Sequence, residues 1–224
     1  MELSSIVGYD CSGENTGYNF PNFYYSAYGS DKKRYFFKSI NLELGSVNFV
    51  VGERKSGKSL FLKSLTGLEC PSEKPLDRKF LKYDIVYKPE FIKPKSTGTL
   101  QELIKSKSLS ENKIFMQYIN LFGLGRKMDT NLKDLKEEEM QLLGFCLFLV
   151  TEGLIYIMDY PSYLIGEDNR RKMISILKNH CEKNDKIGII TENNLNLINE
   201  LYDEKLDKKY YIKRFGENEY YGGN

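Results

Sequence analysis

Apolar residues recur in a strand-like rhythm from Arg34 to Val51, closing on the run Ser46-Val47-Asn48-Phe49-Val50-Val51. The rhythm then lengthens. Leu60, Leu62, Leu65 and Leu68 fall at helical steps within the stretch from Lys58 to Leu68. A strand, a glycine-bearing loop and a helix are predicted in that order. Downstream, Asp84-Ile85-Val86-Tyr87 predicts a short strand, interrupted by Pro89 and Pro94. Helical patterns follow from Leu100 to Ser106 and from Lys113 to Leu124. Met140 to Val150 is apolar on almost every face, which predicts a buried helix. Leu154-Ile155-Tyr156-Ile157-Met158 is wholly apolar and ends at Asp159, the pattern of a central parallel strand. A helix from Arg170 to Cys181, a buried strand from Lys186 to Thr191, a helix from Leu195 to Tyr202 and a tail strand from Tyr210 to Arg214 complete the series. Such alternation predicts an α/β fold with a mainly parallel sheet and helices on both faces. The first 30 residues are rich in Tyr, Asn, Gly and Ser, show no clear period, and predict an irregular lobe or edge strands.

At 224 residues and 41% hydrophobic composition, the chain suits one large domain with a sizeable core. A formal charge of +2 sets up no global field that demands nucleic acid or an anionic membrane. Basic residues cluster only locally, at 31–34, 170–172 and 208–214, as solvated faces do. The four cysteines, Cys11, Cys70, Cys146 and Cys181, have no CxxC spacing, so neither a zinc site nor an iron–sulfur cluster is indicated. Cys146 lies in an apolar run and is expected to be a buried thiol in a reducing compartment. No basic-then-apolar leader opens the chain, and the longest apolar stretch, Leu142 to Val150, is too short to span a bilayer. A soluble, cytoplasmic protein without a membrane segment is expected.

The candidate chemistry begins at Gly52-Glu53-Arg54-Lys55-Ser56-Gly57-Lys58-Ser59, between the predicted strand and helix. This is the P-loop pattern. Glycines 52 and 57 let the backbone curl so that its N–H groups face phosphate oxygens, and the N-terminus of the following helix, with Leu60 counted in the binding segment, adds its partial positive charge. Lys58 can reach the terminal phosphates of ATP, and the Ser59 hydroxyl can ligate Mg2+. A P-loop NTPase core is the resulting expectation.

A second acidic anchor narrows the reading. Residues 154–159 look like a Walker B strand, whose Asp159 would hold magnesium through water. Leu135-Lys136-Glu137-Glu138-Glu139-Met140-Gln141 stands where an ATP-binding-cassette (ABC) ATPase carries its LSGGE-x-Q signature, and Asp159 follows Leu135 by 24 positions, as in that family. The segment Tyr87-Lys88-Pro89-Glu90-Phe91-Ile92-Lys93-Pro94, with Gly98-Thr99-Leu100 after it, resembles the Q-loop of the second cassette in the E subfamily of ABC proteins. These are the ribosome-recycling factors, also known as RNase L inhibitors. The resemblance runs from about Lys38 to Asp203. It implies one ABC-type nucleotide-binding domain over 1–224, with a core lobe formed by 1–89 and 151–224 and a Q-loop and helical lobe at 90–150. The iron–sulfur domain and the other cassette of that subfamily have no counterpart in these residues, so ribosome splitting by this stretch alone is not expected.

The departures from the family pattern are as informative as the matches. The glutamate that follows the Walker B aspartate and polarises water is Tyr160, a phenol too weakly basic for the task at neutral pH. Loss of such help costs roughly 100- to 10,000-fold in rate. The Q-loop glutamine is Glu90, which would still touch magnesium. The switch histidine is Asn193, the D-loop aspartate is Gly166, and the serine and two glycines of the signature are Lys136, Glu137 and Glu138, followed by Glu139. A carboxylate about 4 Å from a phosphate charge costs on the order of 4 kcal/mol at an effective dielectric of 20. The resemblance with these replacements implies a pseudo-ATPase that holds ATP and Mg2+ and does not close as a homodimer. As a structural role, Glu137 to Glu139 also suit the N-terminus of a helix. Among weaker candidates, Tyr24, Tyr25 and Tyr28 stand about where ABC domains place an aromatic under adenine, and His180 is expected at a helix end on the surface. Two functions are in view. One is a nucleotide-dependent scaffold on the ribosome, contacted through basic, tyrosine-bearing patches. The other is a degenerate subunit paired with a complete second ABC domain, leaving one working composite site. Coupling to a membrane transporter is the less favoured third.

Overall fold

The computed structural model describes residues 17–20, 23–26, 33–37, 40–52, 56, 58–66, 85–94, 97–159, 164–203 and 207–212. Its centre is a five-stranded parallel sheet made of β5 (Val47–Gly52), β6 (Ile85–Lys88), β7 (Ile155–Met158), β8 (Ile187–Thr191) and β9 (Lys208–Ile212), in the order β6-β7-β8-β5-β9. All four pairings are parallel. Each strand of such a sheet needs a crossover, and the chain supplies helices for this purpose. These are α1 (Lys58–Leu65), α2 (Leu100–Ser106), α3 (Lys113–Leu121), α4 (Glu137–Val150), α5 (Glu167–Asn184) and α6 (Leu195–Leu201). Four N-terminal strands, β1 (Gly17–Phe20), β2 (Phe23–Ser26), β3 (Lys33–Phe37) and β4 (Ile40–Glu43), form two antiparallel pairs, β1 with β4 and β2 with β3.

Side chains alternate across the strands, so the sheet faces two cores. On one side Val50, Ile155, Ile157, Ile187 and Ile189 pack with Phe61, Leu62 and Leu65 of α1. On the other, Val47, Phe49, Val51, Tyr156, Met158 and Ile190 meet α4, α5 and α6. Continuous apolar strands are the consequence of being covered twice. Helices α2 and α3 extend the second core away from the sheet through Leu100, Ile104, Phe115 and Ile119. Local capping sets their starts. Thr99 and Glu102 form a capping box on α2, Asn112 caps α3, and Asn194 caps α6.

The expected order of elements holds, with shifts at the ends. Helix α4 begins at Glu137 rather than Met140, because the Glu139 carboxylate accepts the Lys136 backbone N–H at 2.9 Å and starts the turn earlier. The stretch from Lys113 to Leu124 splits: α3 stops at Leu121, and Gly123, with φ of 72°, turns the chain into a 3₁₀ turn over Leu124–Lys127. Helix α5 runs on to Asn184, so His180 is not at a helix end. Its ring packs edge-on against Tyr156 with centroids 4.8 Å apart, and burial holds its pKa down. The described residues among the first 30 form strands of two separate two-stranded antiparallel sheets, not edges of the central sheet. Cys146 and Cys181 are buried thiols, and burial pushes each up to about 12. Leu68, Cys11 and Cys70 lie outside the described residues. No helix among the described residues is long and apolar enough to cross a membrane.

Candidate functional site

The carboxyl ends of β5, β6, β7 and β8 meet at one edge of the sheet, where α/β folds place ligands. Strand β5 ends at Gly52, and α1 opens at Lys58. Lys58 Nζ donates to the Gly52 carbonyl at 2.7 Å, so the lysine folds back over the loop that precedes its own helix. Burial pushes the Lys58 ammonium below its ordinary value, and the carboxylates of Asp159, Glu192 and Glu90 oppose that fall. Ser56 is 1% exposed, and its hydroxyl has no hydrogen-bond partner among the described residues. A buried hydroxyl left in that state signals a ligand atom that would complete it.

Asp159 follows β7 and is 2% exposed. Its Oδ1 accepts from Ser59 Oγ at 3.1 Å and Thr191 Oγ1 at 3.0 Å, and its Oδ2 from the Tyr87 hydroxyl at 3.2 Å. Burial raises the carboxyl above its ordinary range, and the three hydroxyls counter that rise. The backbone N–H of Asp159 donates to the Lys88 carbonyl at 2.9 Å, which ties β6 to this position. Glu90 follows two residues later and acts electrostatically on both Lys58 and Lys88.

The structure therefore gathers Gly52, Ser56, Lys58, Ser59, Glu90 and Asp159 around one site, with Leu60 in the first turn of α1. Glu53, Arg54, Lys55, Gly57, Tyr160 and Tyr28 lie outside the described residues. Tyr24 and Tyr25 sit on β2, opposite Tyr35 and Arg34 of β3. A magnesium nucleotide fits the donor set: a lysine for phosphate, a serine hydroxyl and two carboxylates for a hard cation. No group of three His, Cys, Asp or Glu residues among those described is arranged to hold a metal.

The signature-position turn lies at the start of α4. Lys136 is its N-cap, and Glu137, Glu138 and Glu139 form the first turn. Glu139 Oε1 pairs with Lys127 at 3.2 Å. Glu138 Oε1 accepts from the backbone N–H of Gly166 at 3.2 Å and from Asn169 Nδ2 at 3.0 Å. Asn193 lies just past β8, and its N–H donates to Glu192 Oε1 at 2.7 Å.

Comparison with known proteins places this arrangement. No family model matches the chain. It is 25% identical over 135 residues to an uncharacterized ABC transporter ATP-binding protein of Methanocaldococcus jannaschii, covering 60% of this chain and 22% of that protein. A solved RNase-L inhibitor superposes with a TM-score of 0.73 at 22% identity, over 89% of this chain and 38% of the other. The fold and the order of elements are those of an ABC ATPase nucleotide-binding domain. A structure of ribosome-bound archaeal Pelota and ABCE1 matches with a TM-score of 0.66 at 28% identity, over 80% of this chain and 30% of that one. The chain spans about a quarter of the length of the curated relatives it matches first.

Several residues of this ABC-type domain were missed in the sequence. Lys88 is 2% exposed, and its Nζ donates to Gln141 Oε1 at 2.7 Å, joining the sheet to α4. Burial lowers Lys88 to about 8, against the pull of Asp159 and Glu90. The signals were there: one lysine closing an apolar strand, and one glutamine inside an apolar helix. Thr191, Tyr87, Arg170 and Glu192 gave no comparable signal, because their roles depend on contacts between distant segments.

Proposed function

We propose that this ABC-type domain binds MgATP at the P-loop, hydrolyses it at a negligible rate, and works as a nucleotide-dependent scaffold at the ribosome. The observation that carries the reading is an asymmetry within one domain. Lys58, Ser59 and Asp159 stand together, and the buried Ser56 hydroxyl has no partner among the described residues, whereas the signature turn holds carboxylates. Lys58 and Ser56 would face phosphate, and Ser59, Asp159 and Glu90 would hold the ion. Magnesium, when bound, would neutralise phosphate charge and fix the nucleotide's orientation. The chain's own residues supply little beyond that. Tyr160 is a poor base at neutral pH, Asn193 cannot carry a proton as histidine can, and Glu137 and Glu138 bring negative charge to the segment that would meet a terminal phosphate.

The ribosome enters through the relatives, one of which is a ribosome-bound factor. The basic segments at 31–34 and 208–214 suit an RNA-bearing surface. The retained P-loop beside a replaced signature also favours a second reading, a subunit whose site is completed by the signature of another ABC chain. Co-purification of such a chain would decide for it. The binding claim is tested by calorimetric titration of MgATP into wild type and Lys58→Ala. At least tenfold weaker binding by the variant is expected, and equal affinity refutes the P-loop assignment.

A further inference from the structure

Three positions that depart from the family pattern, Glu138, Gly166 and Asn193, are far apart in sequence yet lie on two sets of polar contacts joined through the first turn of α5, where the Arg170 N–H donates to the Gly166 carbonyl at 3.0 Å. Gly166 precedes the first turn of α5 and has no side-chain oxygen to accept the N–H groups left free at a helix start. Glu138 of α4 supplies one from outside. Its Oε1 takes the Gly166 N–H and also binds Asn169, inside the first turn of α5. The next residue, Arg170, places Nη1 3.5 Å from Glu192 Oε1. That oxygen also accepts the backbone N–H groups of Asn193 at 2.7 Å and Asn194 at 3.0 Å. Asn194 Oδ1 then caps α6, accepting from Asn196 and Leu197 at 3.1 and 3.2 Å.

Glu192 is 1% exposed, so this ion pair and the two N–H bonds offset the desolvation of its charge. Glu138 is also set apart from its neighbours. Glu137 is exposed, as a solvated helix start requires, and Glu139 serves Lys136 and Lys127. Only Glu138 of the three reaches another helix through these bonds.

We infer that Glu138, Arg170 and Glu192 form one intrachain brace that fixes the 136–139 turn, the Gly166 segment and the Asn193 loop as a unit. Glu138 is a positioning residue: it sets the loop after β8 from the far side of α5, without touching the nucleotide site. The acidic turn is thus fastened to its own core rather than held out toward another subunit. The importance of the Asn193 loop rests on the nucleotide-site reading, whereas the brace itself does not.

Contiguity alone does not establish coupling, so the test reads a remote amide. Hydrogen exchange is followed on the whole chain without nucleotide, in wild type, Glu138→Gln and Glu138→Ala. Glutamine keeps an accepting Oε1; alanine removes it. Exchange in Glu138→Ala is expected to rise about three- to tenfold at 166–169 and also at 193–194, the size expected for losing an accepting oxygen. Glu138→Gln should stay with wild type. Arg170→Met should raise exchange at 193–194, and adding Glu138→Ala to it should change those two amides no further. Should Glu138→Ala not fold, Asn169→Ala, which removes one Glu138 contact on α5, takes its place: raised exchange at 193–194 supports the brace and unchanged exchange there overturns it. A rise confined to 166–169, or unchanged 193–194 amides in Arg170→Met, overturns the brace. Failure of wild type to bind MgATP would remove the nucleotide reading and leave this result untouched.

Discussion

Replacing Gln141 with leucine removes the acceptor for a buried ammonium while nearly conserving volume. In the native protein, Lys88 Nζ is 2.7 Å from Gln141 Oε1, and its next acceptor, the Pro89 carbonyl, is 3.4 Å away. Gln141 is 3% exposed, so water cannot readily take its place. A hydrogen bond to a charged group contributes about 1.5–3 kcal/mol, and an unsatisfied buried charge costs at least as much. Gln141→Leu should therefore lose about 2 kcal/mol at pH 7, read as a fall of about 1 M in the urea midpoint. Lys88→Met together with Gln141→Leu should recover most of that loss, because an apolar pair leaves nothing unsatisfied. The pH dependence sharpens the test. Lys88 has a folded pKa of about 8 against 10.5 for an ordinary lysine, so the unfolded chain binds more protons between those values. Stability rises with pH across that window, by at most about 3 kcal/mol, and Lys88→Met should abolish this component. The penalty of Gln141→Leu should likewise shrink above about pH 9, as Lys88 sheds its proton. A Gln141→Leu variant as stable as wild type at pH 7, or a double variant no better than the single, would refute this reasoning.

Three further outcomes follow from packing and charge. Gly144→Ala would drive a methyl group into Ile92 Cδ1, on the segment after β6, and should cost about 1–3 kcal/mol in urea unfolding. Ile92→Val in the same chain should restore most of it. In light scattering the chain should stay monomeric with MgATP, because Glu137 and Glu138 oppose a phosphate from a second copy. In sucrose gradients it should travel with ribosomes at low salt and leave them at high salt.

The sheet was legible because its strands are covered on both faces. Ile155 to Met158 and Ile187 to Ile190 carry no charged or amide side chain, as strands buried on both faces do. The phosphate-loop residues were legible because Gly52, Lys58 and Ser59 fall within one stretch of eight residues between a strand and a helix. What could not be read was anything closed over distance. The Asp159 carboxylate draws hydroxyls from three other elements, α1, β6 and β8. Pairing of Lys88 with Gln141 depends on how α4 lies against the sheet, which periodicity does not encode. For α4 the apolar run began only at Met140; the three glutamates before it suit a helix start by charge, and the backbone bond at Lys136 fixes where the turn opens.

The account's central claim is that ATP is held and not turned over. The most direct measurement incubates the purified chain with radiolabelled MgATP, isolates the bound fraction over several hours, and identifies the nucleotide in it. Label bound to wild type and to Tyr160→Glu should be recovered as ATP, and release of ADP into solution should be no faster from either than from Lys58→Ala, which holds little label. Formation of ADP and phosphate by wild type that is lost in Lys58→Ala would contradict it.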